Sequence, residues 1–295
     1  MAVTEPAVPA AGITVEGSFD NLGGEYDPHL YRFRALASGI HGFDAFGDEH
    51  VAFYREQGFL IIHDAFTPDE VQTALAGLLD VIDGKHPGFR HIQFEAKARP
   101  LLATMAVEQK QDLVRKVFSF VGYEPRLRAI AEHPRLLEVV RRLIGAEPAL
   151  FEDKALIKPP RIGREKPWHQ DHAYWNLPLE AKVVTVWIAL DPATTENGCL
   201  YLIPRSHREG PVVHFRRRDW QICDSDVATG RIVAAPLSPG GALFFDSLLH
   251  HGTPANTSPQ RRRALQFVYV PASAARISAA ERLAIFGSEG KDVTC

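Results

Sequence analysis

Ala181-Lys182-Val183-Val184-Thr185-Val186-Trp187-Ile188-Ala189-Leu190 is a short apolar run rich in β-branched residues, and it is one of five such runs beyond Pro148. The others occupy 149–157, 199–203, 241–245 and 264–270, with Pro, Gly or Asn breaking the chain between them. Runs of this length and composition read as strands. Several at this spacing predict a sandwich or barrel.

Working upstream, Phe59-Leu60-Ile61-Ile62 predicts a buried strand. In Thr67-Pro68-Asp69-Glu70, Thr67 caps, Pro68 suits the first turn and Glu70 completes a capping box, so a helix should follow to about Ile82. From Met105 to Gly145 the pattern is helical again: Leu136, Leu137, Val140, Leu143 and Ile144 form one stripe, and Gly145 sits at a C-cap position. Helices come first and strands later, without the βαβ alternation of a parallel doubly wound sheet. The fold class expected is mainly β with packed helices. A helical support layer, mainly 65–145, should cover a β core, mainly 149–271, within one domain spanning 48–295. Residues 1–47 read as an extended N-terminal arm, disordered at its tip.

The 295 residues are 45% hydrophobic and 23% charged, enough apolar material for a sizeable core. A formal net charge of −3 gives no overall pull towards nucleic acid or a membrane. The N-terminal stretch lacks the features of a secretory leader, and no apolar run reaches the roughly 18 residues of a membrane span. Cys199, Cys223 and Cys295 show no paired spacing, so a reducing, cytoplasmic setting is expected. The expected partner is a small molecule, with no nucleic acid and no membrane.

The chemistry is concentrated at Trp168-His169-Gln170-Asp171, where an extended backbone puts His169 and Asp171 on one face and turns Gln170 away. One more imidazole would complete a facial triad, the ligand set that binds iron(II) and leaves three adjacent positions open. Leu248-Leu249-His250-His251-Gly252-Thr253 offers two, of which only one can point inward from a strand. Arg261-Arg262-Arg263 then leads into the last long strand. Alternation gives Arg262 a face of its own, suited to clamping the far carboxylate of a diacid such as 2-oxoglutarate. A second basic run, Arg216-Arg217-Arg218, reads either as a solvated loop or as a lid gripping an anionic substrate group.

These segments resemble the phytanoyl-CoA dioxygenase-like branch of the Fe(II)/2-oxoglutarate-dependent oxygenases. The similar text is Ile157-Lys158-Pro159-Pro160, then Pro167-Trp168-His169-Gln170-Asp171 with Tyr174, then Glu196-Asn197-Gly198-Cys199-Leu200 continuing to Ile203-Pro204-Arg205-Ser206-His207. It resumes at Pro239-Gly240-Gly241-Ala242-Leu243-Phe244-Phe245 and closes on His251-Gly252-Thr253, Asn256 and Arg262-Arg263-Ala264. The resemblance is clear from near Asp153 to Pro271 and looser from Phe59. It implies a double-stranded β-helix, or jelly-roll, with the metal at one open end. The histidine immediately before Gly is the family's ligand, which selects His251 over His250.

By the same resemblance Arg262 maps to the clamping arginine, Trp187 lies beside the co-substrate and Thr253 is a hydroxyl residue that binds its carboxylate. Lys154 and Gln93 fall near co-substrate contacts. Tyr174 and Trp175, just past the metal motif, read either as lining of the substrate pocket or as packing. The implied cofactors are Fe(II), 2-oxoglutarate and O2, with succinate and carbon dioxide as co-products. Related halogenases lack the carboxylate, so Asp171 argues for hydroxylation of an unactivated C–H bond in a small, partly apolar metabolite. Desaturation or oxidative cyclisation by the same oxidant remains an alternative. So do a non-catalytic metal-binding jelly-roll and a cupin-type hydrolase or isomerase, the last typically carrying extra metal histidines in place of Asp171.

Overall fold

A computed structural model describes residues 18–21, 23–101 and 104–287. The disorder expected at the tip of the N-terminal arm falls outside these residues. Among the described residues, strands form a nine-stranded sheet, a five-stranded sheet and a two-stranded hairpin. At the centre of the large sheet lie, side by side and antiparallel, Pro148–Lys158, Arg262–Pro271, Val184–Ala189, Ala242–Asp246 and Phe59–His63. The small sheet is ordered Ala35–Leu36, Val233–Ala235, Leu200–Leu202, His251–Thr253, Lys166–His169.

From Pro148 onward the chain passes back and forth between the two sheets, which is the winding of a jelly-roll. Period-2 alternation explains how one run of sequence serves two interfaces. Val186, Ile188, Phe244, Leu265 and Phe267 face the helices, in a cluster with Val71, Leu78 and Val140. Their neighbours Trp187, Ala189, Leu243, Phe245 and Ala264 face the small sheet, packing with Trp168 and Leu202.

The helix Pro68–Ile82 starts as expected. Thr67 Oγ1 accepts from the Glu70 amide and Glu70 Oε2 accepts from the Thr67 amide, so two otherwise orphaned donors are satisfied. Val71, Ala74, Leu78, Val81 and Ile82 form its buried face. Pro134–Ile144 ends where Gly145 takes the left-handed conformation (φ 76°), as a C-cap requires.

Between these helices the structure corrects the helical reading of the region from Met105 to Gly145. Val107–Leu113 is a 3-10 turn, and Val114–Phe118 is a strand paired with Pro148–Lys158. Two valines and a phenylalanine in five residues favour a pleated surface, and the long neighbouring strand supplies the ladder. The segment expected as an arm is tied to both sheets. Ser18–Phe19 pairs with Ile92–Phe94, Ala35–Leu36 with Val233–Ala235, and Ile40–His41 with Phe59–His63. Leu30 and Tyr31 are buried, and the Trp168 indole donates to the Leu30 carbonyl at 2.9 Å. No helix among the described residues is long and apolar enough to cross a membrane.

Candidate metal centre

The strands Lys166–His169 and His251–Thr253 run antiparallel, with His169 directly opposite His251. Their rings stand 4.1 Å apart, centre to centre. Gly252 permits this approach: a Cβ there would lie 3.2 Å from both the Lys166 carbonyl and the Trp168 amide. Asp171 lies two residues beyond the end of the first strand, at the start of the 3-10 turn Asp171–Tyr174. Its Oδ1 lies 3.4 Å from His169 Nε2 and 3.7 Å from His251 Nε2. One ligand atom from each of the three buried side chains lies within 4.8 Å of the others, so the group can hold a metal ion.

Backbone carbonyls orient both imidazoles in the same way. His169 Nδ1 sits 2.8 Å from the Pro167 carbonyl and His251 Nδ1 sits 2.9 Å from the Leu249 carbonyl. A proton on Nδ1 satisfies each carbonyl and leaves the Nε2 lone pair towards Asp171, the tautomer a metal needs. Burial, reinforced by His251 and Lys166, pushes His169 down to about 3, and burial also lowers His251. Both rings are therefore neutral at neutral pH. For Asp171, burial opposes ionisation, but in the acid range where the carboxyl titrates and the His251 and His169 rings carry charge, those rings and Lys154 more than offset it, so its carboxyl lies below the usual range. Thr185 Oγ1 (3.1 Å) and Gln266 Nε2 (3.3 Å) donate to the other oxygen, Oδ2, and leave Oδ1 for an ion.

Gln170, wholly buried, braces the loop from behind. Its amide donates to the carbonyls of Gly210 and Leu248, and its Oε1 accepts from the Val212 amide.

The triad opens into a cavity of about 310 Å³ that Arg262, Trp187 and Thr253 also line. Arg262 is 3% exposed; Nη1 donates to the Leu156 carbonyl at 2.8 Å, and the guanidinium lies 5.3 Å from the Trp187 ring centre. Its Nε is buried with no hydrogen-bond partner among the described residues. Burial pushes this guanidinium down to about 10, and no carboxylate pairs with it among the described residues. Its neighbours behave differently: Arg261 pairs with Asp112 and Arg263 with Asp191. A buried arginine with an open donor, across one cavity from a 2-His-1-carboxylate set, suits a diacid that chelates an ion at its other end.

The sequence pattern of the Phytanoyl-CoA dioxygenase (PhyH) family matches residues 54–264. The chain belongs to this family. It is similar to Phytanoyl-CoA dioxygenase domain-containing protein 1 of Danio rerio, at 24% identity over 261 residues, which cover 76% of this chain and 90% of that protein. It is also similar to the Ectoine dioxygenase of Sphingopyxis alaskensis, at 27% over 241 residues and 74% of each chain. Among solved structures, EctD from S. alaskensis with 2-oxoglutarate and 5-hydroxyectoine superposes with a TM-score of 0.64 at 23% identity, covering 91% of this chain and 87% of EctD. The carbocyclase SnoK from nogalamycin biosynthesis gives 0.62 at 24%, covering 86% and 98%. These likenesses establish a shared fold.

Within this phytanoyl-CoA dioxygenase family member, the structure gathers His169, Asp171, His251, Arg262, Trp187, Thr253, Lys154, Tyr174 and Trp175 around one cavity. Thr253 Oγ1 is committed to the Gly198 carbonyl at 2.9 Å. Lys154 pairs with Glu152 at 2.9 Å, and the Trp175 indole donates to the same carboxylate at 3.0 Å. Tyr174 stands edge-on to His169. Gln93 is not on the cavity; it occupies the strand Ile92–Phe94, and its partner across the ladder, Lys116, lines the cavity instead. His250 also lies apart from the ligand group, with its amide bonded to Ser206. Arg218 fits neither a solvated loop nor a lid, because it is buried in ion pairs with Glu165 and Asp224.

Sequence reasoning missed Gln266, Thr185 and Lys116. Gln266 was legible: it shares a strand face with Arg262 and Ala264 at two-residue steps, and a glutamine in an otherwise apolar strand asks for a partner. Lys116 stayed hidden because Val114–Phe118 was read as part of a helical region.

Proposed function

We propose that this family member is an iron(II)- and 2-oxoglutarate-dependent dioxygenase that hydroxylates an unactivated C–H bond of a small, partly apolar metabolite. The observation that carries this reading is the coincidence, on one cavity, of a buried His-Asp-His set with a buried arginine that has no counter-ion among the described residues. The names of its relatives, Ectoine dioxygenase and Phytanoyl-CoA dioxygenase, agree with it.

His169, Asp171 and His251 hold the ion on one face and leave its other positions open. When bound, iron with 2-oxoglutarate and O2 supplies the oxidation that cleaves a C–H bond, with succinate and carbon dioxide released. Arg262 receives the far carboxylate, and Trp187, against the guanidinium, keeps it from swinging. Thr253 adds a second donor once its hydrogen turns from the Gly198 carbonyl. Tyr174 and Trp175 form the wall beside the triad, where they position the metabolite and keep water out. A carboxylate at Asp171, where related halogenases leave the position for halide, favours oxygen transfer.

The test is succinate release from 2-oxoglutarate by the iron-loaded protein. Wild type should form succinate and Asp171→Ala should form essentially none. An Asp171→Ala protein that turns over at the wild-type rate removes the triad.

A further inference from the structure

We propose that Glu152 selects the prime substrate: its open carboxylate oxygen accepts a hydrogen bond from a hydroxyl group on a neutral molecule whose hydrocarbon body lies against Trp175 and Phe118. This rests on the oxygenase reading and names the substrate class for the same cavity.

The sheet register gives Glu152 its place. Along Pro148–Lys158 the residues Glu152, Lys154, Leu156 and Lys158 share the cavity face at two-residue steps. Lys158 stands opposite Arg262, and Lys154 opposite Gln266, whose amide donates to Asp171. On the oxygenase reading the co-substrate spans from the ion to Arg262, between these two rows. Glu152, opposite Val268, stands one row past the ion, about 7 Å further along the strand and away from Arg262. A group held there belongs to the molecule that meets the ion from the other side.

The ladder also breaks at this point. Glu152 pairs with Val268 but Leu150 with Tyr269, so Phe151 is an extra residue with no partner across from it. A bulge of this kind re-aims the side chains around it. In strict alternation Phe151 would face the helices with Ala155 and Ile157; instead it lies edge-on to Trp175, ring centres 5.7 Å apart. Trp175 in turn fixes Glu152. Its indole donates to Oε2 at 3.0 Å, and Lys154 Nζ lies 2.9 Å from the same atom. Oε1 has no partner among the described residues, although a carboxylate oxygen readily accepts one.

The rest of this wall offers no competing acceptor. The Tyr174 hydroxyl donates to the Trp220 carbonyl at 2.5 Å and accepts from Lys166 at 2.7 Å, so its ring alone meets the cavity. Phe118, opposite Lys154, adds a second apolar surface. Lys154 balances the charge of Glu152, so neither an ammonium nor a carboxylate gains from the pair what a neutral hydroxyl does, while the hydroxyl loses least on leaving water.

The experiment uses the Mn(II)-loaded protein, saturated with 2-oxoglutarate and kept anaerobic. Its probes are benzyl alcohol, 2-phenylethanol and 3-phenylpropanol, each beside its methyl ether, amine and carboxylic acid. Paramagnetic relaxation of ligand protons by Mn(II), followed by NMR, reads both affinity and orientation. At least one alcohol should bind about tenfold more tightly than its methyl ether, and more tightly than its amine and acid. Its ring protons should relax faster than the methylene protons beside the oxygen, because the hydroxyl points away from the ion. Glu152→Gln keeps the size of the side chain, but Trp175 and Lys154 retain its oxygen and turn its NH2 to the cavity; the ether should then bind as tightly as the alcohol. No alcohol preferred over its ether, an amine or acid preferred over its alcohol, or a preference unchanged in Glu152→Gln overturns the proposal. So does a Glu152→Gln protein whose affinity for 2-oxoglutarate falls as far as that of Arg262→Met, because the carboxylate then serves the co-substrate. If wild type takes up no 2-oxoglutarate, the oxygenase reading fails instead, and the alcohol-over-ether comparison repeated with Mn(II) alone still decides the role of Glu152.

Discussion

Replacing Arg262 by methionine should separate binding from stability in a way few substitutions do. Methionine keeps the unbranched stem against Trp187 and removes the charge. A hydrogen bond to a charged group contributes about 1.5–3 kcal/mol, and a buried carboxylate left without its partner costs about 2–5 kcal/mol. Taking about 3–4 kcal/mol as the loss, the Kd for 2-oxoglutarate should rise by about 10²–10³, at 1.4 kcal/mol per tenfold. The unliganded fold should lose little. The guanidinium is desolvated and, among the described residues, its Nε is unpartnered and only the Leu156 carbonyl gives up a bond, so relief from burying the charge offsets that loss. Anaerobic calorimetry of 2-oxoglutarate into Mn(II)-loaded protein gives the affinity, and urea unfolding of the apoprotein gives the stability. Arg262→Lys retains the charge without the two-pronged geometry and should fall between the two. A folded Arg262→Met protein that binds 2-oxoglutarate within threefold of wild type refutes the clamp.

Two further outcomes follow from particular contacts. Thr185→Val with Gln266→Leu removes both donors from Asp171 Oδ2 while keeping the ligands; metal affinity should drop about 10–100-fold, read by competition with a chromophoric chelator. At the opposite extreme, Thr67→Ala deletes an exposed helix cap remote from the cavity; it should cost about 1 kcal/mol and lower Tm by about 2–4 °C, with succinate formation unchanged.

Where local rules and tertiary packing agree, the chain could be read directly. Thr67 and Glu70 announced a helix start, Gly145 a helix end, and the β-branched runs past Pro148 a β core. The same held for His169 and Asp171, because a two-residue step in an extended segment fixes their common face. Arg262 was legible for a related reason: alternation assigned its two arginine neighbours to the other face, where Asp112 and Asp191 now hold them.

What failed depended on pairings between distant segments. Val114–Phe118 is a strand because Pro148–Lys158 lies beside it, and nothing within its own five residues excludes a helix. Misreading it hid Lys116, which stands opposite Gln93 in the neighbouring strand. Likewise Arg218 belongs to a buried network only because Glu165, 53 residues away, is folded against it.

Iron stoichiometry in two neighbouring variants tests the centre most directly. Anaerobic titration should load one Fe(II) per chain into wild type and into His250→Ala, and none at the same protein concentration into His251→Ala, with its fold verified by unfolding. Full iron binding by His251→Ala, or its loss from His250→Ala alone, would contradict the assignment of His169, Asp171 and His251 as the ligands.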